Sequence, residues 1–220
     1  MSIEAISAAV EEGQAKIVKN LVNAAIEDGI PVTDILNGGL INAMGVVGEK
    51  FRQNEIFVPE MLIAARAMSA GLGILEPLLT SSGVLPTGTV VIGTVKGDLH
   101  NIGKNLVAMM LKGTGATVYD LGIDVPDQRF VEKAEAIAAD IVCISALLTT
   151  TMPAMGDVIP EFEKAGVREK YHIMVGGAPV TRAFARAIGA DGYAPNASEA
   201  ATTAKEYLLS SKSKNRKSGA

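Results

Sequence analysis

Apolar side chains recur at steps of three and four along the first 82 residues. Ile17, Leu21, Val22, Ala25 and Ile26 form one such series, and Ile35, Leu36, Leu40, Ile41, Met44 and Val47 a second. Met61, Leu62, Ala65, Met68, Leu72 and Leu75 form a third. This spacing lines one side of a helix. Gly13, Gly29-Ile30-Pro31 and the stretch from Asn54 to Pro59 break the pattern, because glycine ends helices and proline starts them. Four helices joined by short turns can bury their stripes only against one another, which predicts an N-terminal four-helix bundle. Ser81-Ser82-Gly83 and Pro86-Thr87-Gly88 read as a linker. From residue 89 the period changes. Short apolar runs near 89–95, 116–121, 141–147, 172–176 and 192–194 alternate with helical stretches near 103–113, 127–139, 154–165, 180–188 and 197–209. That alternation predicts a five-stranded parallel sheet with helices on both faces, a doubly wound, Rossmann-like α/β domain. No internal repeat is visible. The predicted organisation is a helical-bundle domain over 1–85, the α/β domain over 86–211 and a disordered tail over 212–220.

Composition narrows the function. Tryptophan is absent and aromatics make up 4%, so the core is expected to be built from aliphatic residues and methionine, with Met44, Met61 and Met68 inside it. A net charge of −4 argues against nucleic acid as the main partner, which would require a basic face. Lys212, Lys214, Arg216 and Lys217 form the one basic cluster, and their Ser/Asn/Gly setting predicts a solvated tail. Cys143, the single cysteine, lies within an apolar run and reads as a buried, inert thiol in a reducing compartment. Neither a leader-like segment nor an apolar run of spanning length stands out, which predicts a cytoplasmic protein without membrane contact. His172, beside Tyr171 ahead of a strand, reads as structural, and Lys96 and Lys104 as solvated lysines.

The candidate chemistry lies directly after the run Val90–Val95, at Gly97-Asp98-Leu99-His100-Asn101-Ile102-Gly103. Ligands of open α/β sheets bind at the carboxyl ends of strands. Side chains two apart on extended backbone point the same way, so Asp98 can bond one ring nitrogen of His100 and leave the other for a metal. Further along come Ser145-Ala146-Leu147 and Gly176-Gly177. Thr149-Thr150-Thr151 before Met152-Pro153 has an ordinary reading as a helix cap.

The series Asp-x-His-x-x-Gly, 41 residues, Ser-x-Leu, 28 residues, Gly-Gly resembles the cobalamin-binding domain of corrinoid proteins and of cobalamin-dependent methionine synthase. Gly103-Lys104-Asn105, Asp120-Leu121-Gly122, Val125-Pro126 and Asn196-Ala197-Ser198 belong to the same resemblance. So do Met44–Phe51 and Phe57-Val58-Pro59-Glu60 upstream. The resemblance implies cobalamin or a related corrinoid as cofactor, with His100 as the lower axial ligand of cobalt. It makes Asp98 and Thr151 a hydrogen-bonded relay behind that ligand, with Thr151 standing where methionine synthase has serine. It places Ser145 and Leu147 on the displaced benzimidazole tail, and Gly103, Gly176 and Gly177 where backbone approaches that tail. Phe51 and Val58 are implied to shield the upper face of the corrin.

The implied function is a methyl carrier cycling between Co(I) and methyl-Co(III), with ligand release coupled to proton uptake and with the bundle swinging aside to open the upper face. A chain without a zinc-type Cys/His cluster or room for a (β/α)8 barrel leaves donor and acceptor chemistry to partners. The implied partners are a methyltransferase loading from a methylamine, quaternary amine, methanol or aryl methyl ether, a second methyltransferase serving coenzyme M or tetrahydrofolate, and a reductive activase. A cobalamin-binding sensor module and the small subunit of an adenosylcobalamin mutase are the alternatives.

Overall fold

A computed structural model describes residues 2–81 and 86–218; the linker positions Ser82 to Leu85 lie outside the described residues. The chain forms two compact units, Met1–Pro86 with Gly113–Gly115, and Thr87–Lys112 with Ala116–Ala220.

The first unit is helical. Ser2 caps α1 (Ile3–Glu11) by accepting the Ala5 amide at 3.3 Å, which satisfies one donor at the helix start. Helix α2 spans Ala15–Glu27. The third helix runs from α3 (Val32–Asp34) through a π-helical segment (Ile35–Ile41) into α4 (Asn42–Arg52) without a break. The π register sits where Gly38 and Gly39 meet α1, and added β-carbons there would come within 2.8 Å of Ile3 and 3.0 Å of Ile6. Helix α5 (Val58–Ser81) starts with Glu60 accepting the Phe57 amide at 3.1 Å, one half of a capping box. Met44, Met61 and Met68 are buried, as the aliphatic pattern predicts. By length and composition alone Val58–Leu79 would pass for a membrane-crossing helix. Its run is broken by Glu60, Arg66, Glu76 and Pro77, and Met61, Ala64, Ala65, Ala67, Met68 and Leu75 are buried in the protein.

The second unit holds β1 (Thr89–Thr94), β2 (Thr117–Asp120), β3 (Ile141–Ser145), β4 (His172–Gly176) and β5 (Gly192–Ala194). They form one parallel sheet in the order β2-β1-β3-β4-β5. Strands buried on both faces must be apolar throughout, and Val90, Val91 and Ile92 are all buried. Alternation then sorts them. Val91, Val142, Ile144, Ile173 and Val175 pack on one face with Phe130 of α7 (Asp127–Ala136) and Phe162 of α8 (Met152–Lys164). Val90, Ile92, Ile141, Cys143 and Met174 pack on the other with Leu111 of α6 (Ile102–Gly113) and Leu208 of α10 (Ala197–Ser218). Helix α9 covers Arg182–Ala187. Burial alone pushes the Cys143 thiol up to about 12, so it is inert at neutral pH.

The predicted tail at 212–220 is replaced, as far as Ser218, by the continuation of α10. The segment has no Pro or Gly before Gly219.

Strand order reverses between β1 and β3, because the chain leaves β1 toward β2 on one side and returns to β3 on the other. The crevice at such a reversal is the binding position of this fold class.

Candidate functional site

The loop between β1 and α6 carries Asp98 and His100 into that crevice, and the loop after β3 brings Leu147 and Thr151 to meet them. Asp98 is fully buried and accepts four hydrogen bonds. Oδ1 faces the His100 backbone amide at 3.0 Å and its ring Nδ1 at 2.8 Å. Oδ2 accepts the Leu147 amide at 2.7 Å and the Thr151 hydroxyl at 2.7 Å. Burial pushes the carboxyl up. The Leu147 amide, the Thr151 hydroxyl and the His100 amide and ring together outweigh it and hold Asp98 well below the usual carboxylate range.

An ionised Asp98 can only accept, so the ring proton of His100 belongs on Nδ1. The Nε2 lone pair is then free on a side chain that is 50% exposed. Thr94, buried at the end of β1, donates its hydroxyl to the His100 carbonyl at 3.0 Å. His100 is thus tied at its amide, its carbonyl and one ring nitrogen. Nothing in the sequence pattern marked Thr94; a hydroxyl closing an apolar strand was the available signal.

Thr151 discriminates between its two readings. It occupies the residue before α8 yet makes no side-chain cap bond to the helix. Its hydroxyl lies between Asp98 Oδ2 and the Leu148 carbonyl, 3.0 Å away. Ser145 closes β3, half-buried, with its carbonyl accepting the Val95 amide at 3.0 Å. Leu147 presents its amide to Asp98, and the residue is 43% exposed.

The three glycines differ. Gly177 has φ +140°, and a β-carbon there would lie 1.8 Å from the Ala146 carbonyl oxygen, so the protein's own backbone demands glycine. At Gly176 it would lie 3.3 Å from the Ala194 carbonyl. At exposed Gly103 it would meet nothing in the protein, so internal packing does not require glycine there. Lys104 is not the solvated lysine expected from its sequence setting. It is buried, ion-paired with Asp120 and bonded to Asn105 Oδ1 at 2.7 Å. Lys96 is exposed. Phe51, in the last turn of α4, and Val58, at the start of α5, are half-buried residues of the helical unit.

The donor set fits one kind of metal centre. Among the described residues no group of three or more His, Cys, Asp or Glu could hold a bare ion. A single imidazole with its tautomer fixed from behind suits a metal already held by a macrocycle, to which the protein adds one ligand.

The comparisons with known proteins bear on the family and the cofactor. Residues 88–202 match the B12 binding domain, and residues 2–76 match a second B12 binding domain model. Over 197 residues the chain is 47% identical to dimethylamine corrinoid protein 2 of Methanosarcina acetivorans, covering 87% of this chain and 90% of that one. Over 209 residues it is 37% identical to a corrinoid protein of Desulfitobacterium hafniense, covering 94% and 97%. Among solved structures it resembles the methanol:cobalamin methyltransferase complex of Methanosarcina barkeri, with TM-score 0.83 and 31% identity over 94% of this chain and 79% of that one. A cobalamin-binding protein from Desulfitobacterium hafniense aligns with TM-score 0.77 and 26% identity over 94% and 98%. Fold and site together define a cobalamin-binding protein. The chain belongs to the B12-binding domain family, among the corrinoid proteins of methyltransferase systems, and its cofactor is a corrinoid.

Proposed function

We infer that this protein is a methyl carrier for a substrate-specific methyltransferase of the methylamine class, with dimethylamine as the first donor to test. Relatives named dimethylamine corrinoid proteins reach 47% and 48% identity. The monomethylamine corrinoid protein of Methanosarcina barkeri and the methanol complex stand at 34% and 31%. A second methyltransferase, serving coenzyme M or tetrahydrofolate, and a reductive activase complete the reading.

The observation that carries it is the buried Asp98 carboxylate holding the Nδ1 proton of His100. Bound here, a corrinoid would supply the nucleophilic centre that methyl transfer requires. His100 would hold the cobalt through Nε2. Asp98 orients the ring from Nδ1, and the Thr151 hydroxyl steadies that carboxylate. Ser145, Leu147, Gly103, Gly176 and Gly177 would lie along the cofactor tail. Phe51 and Val58 are assigned to shielding the methyl by resemblance alone.

The protein reconstituted with hydroxocobalamin, measured beside His100→Ala, tests the ligand. A visible spectrum that changes on losing His100 is expected, and the reduced holoprotein should accept methyl groups from a dimethylamine methyltransferase faster than from a methanol one. A spectrum indifferent to His100→Ala would overturn the ligand assignment, and loading by the methanol enzyme alone would overturn the donor.

A further inference from the structure

Three of the motifs that carry the family resemblance, Gly103-Lys104-Asn105, Asp120-Leu121-Gly122 and Val125-Pro126, take no part in the ligand relay. In the fold they converge beside the turn that bears His100. Asp120, at the end of β2, pairs with buried Lys104 in the first turn of α6, and its Oδ1 accepts the Gly122 amide at 2.8 Å. The Gly122 carbonyl accepts the Thr94 amide at 3.0 Å, and Val125 donates to the Thr94 carbonyl at 3.0 Å. Between them stands Asp124, with φ +52°.

Asp124 grips the Gly97–Asp98 stretch with two of its groups. Its Oδ1 accepts the Gly97 amide at 2.7 Å, and its own amide donates to the Asp98 carbonyl at 3.0 Å. Left-handed backbone suits glycine better than aspartate. Glycine could make the amide bond but not the carboxylate one, so the position uses its carboxylate. A bond to an ionised acceptor is about twice as strong as a neutral one.

We propose that Asp124 is a positioning residue for His100, clamping the Gly97–Asp98 turn so that the ligand loop is already formed before the cofactor arrives. The Lys104–Asp120 pair anchors that clamp to α6. The proposal rests on the reading of His100 as the cobalt ligand. It predicts that the clamp acts on ligand presentation and not on the chemistry itself.

Two variants separate backbone from side chain. Asp124→Gly keeps the left-handed conformation and removes the acceptor, whereas Asp124→Asn tolerates that conformation and keeps an acceptor oxygen. Amide hydrogen exchange in the cofactor-free protein reads the clamp. Gly97 and His100 amides should exchange at least about tenfold faster in Asp124→Gly, the size expected for losing a bond to a charged acceptor, with the Val142 amide unchanged. After loading with hydroxocobalamin, the His100-dependent part of the visible spectrum should shrink in Asp124→Gly and match the wild type in Asp124→Asn. Unchanged Gly97 exchange, equal acceleration at Val142, or a wild-type spectrum in Asp124→Gly would each overturn the positioning role. A wild-type spectrum indifferent to His100→Ala overturns it too, but that failure of the ligand reading shows before any Asp124 variant is made.

Discussion

Asp98 takes four donors while sealed from water, so its environment was built for a charged group and each donor matters. Thr151 is the one whose removal can be isolated. Thr151→Val keeps the shape and deletes the hydroxyl, leaving Oδ2 with the Leu147 amide alone. We expect a loss of about 1.5–3 kcal/mol in urea unfolding, the range for a bond to a charged group, with most of it restored by Thr151→Ser. No change in Thr151→Val would return Thr151 to a plain position ahead of α8. This residue also marks where sequence reasoning stops. The Asp-x-His pair is legible because both members sit on one short stretch with a known direction of side chains. Thr151 has a cap reading and a relay reading that local sequence cannot separate, since the deciding partner is 53 residues away. Lys104 misleads for the same reason: its partner, Asp120, lies 16 residues away on β2.

At the level of elements, that misreading becomes a prediction about how α6 is held to β2. Lys104 is almost fully enclosed, while Asp120 keeps 39% of its side chain in solvent. Removing the two partners is therefore not equivalent. Asp120→Ala strands a buried ammonium, a change that typically costs about 3–5 kcal/mol. Lys104→Met removes the buried charge with similar volume and leaves a carboxylate that water can reach, so its cost should stay below about 1.5 kcal/mol. Equal destabilisation of the two variants in denaturant unfolding would refute this asymmetry. The central strands β1, β3 and β4 are legible to within one or two residues, because burial on both faces forces short unbroken apolar runs there, whereas β2 is mostly exposed and shows in the sequence only through its place in the alternation. The π segment at Ile35–Ile41 is not legible. Its apolar spacing is compatible with an ordinary helix, and the register change depends on where Gly38 and Gly39 meet α1.

The whole molecule should be acid-sensitive in two stages, and the sign follows from which protonation state the fold prefers. His172 lies against Tyr207, rings 4.0 Å apart and 15° from parallel, with 17% of its side chain exposed. Burial lowers its pKa from the ordinary value of 6.5; Asp191 opposes this and Arg168 adds to it. The unfolded chain therefore binds a proton at this residue before the folded one does. The stability it contributes is complete above about pH 6.5 and is lost as pH falls through that value and on through the lower folded one. Asp98, also held below its ordinary value, starts to lose its contribution only below about pH 3.9. The urea midpoint should thus decline first between about pH 7 and 5, well before the carboxylate stage. His172→Phe keeps a flat ring on Tyr207 and cannot titrate, so its midpoint should be level across that first window while the fall at lower pH remains. If the variant declines like the wild type between pH 7 and 5, the first stage belongs to another group. The two stages report on opposite edges of the sheet, since His172 opens β4 at its amino end and Asp98 follows β1 at its carboxyl end.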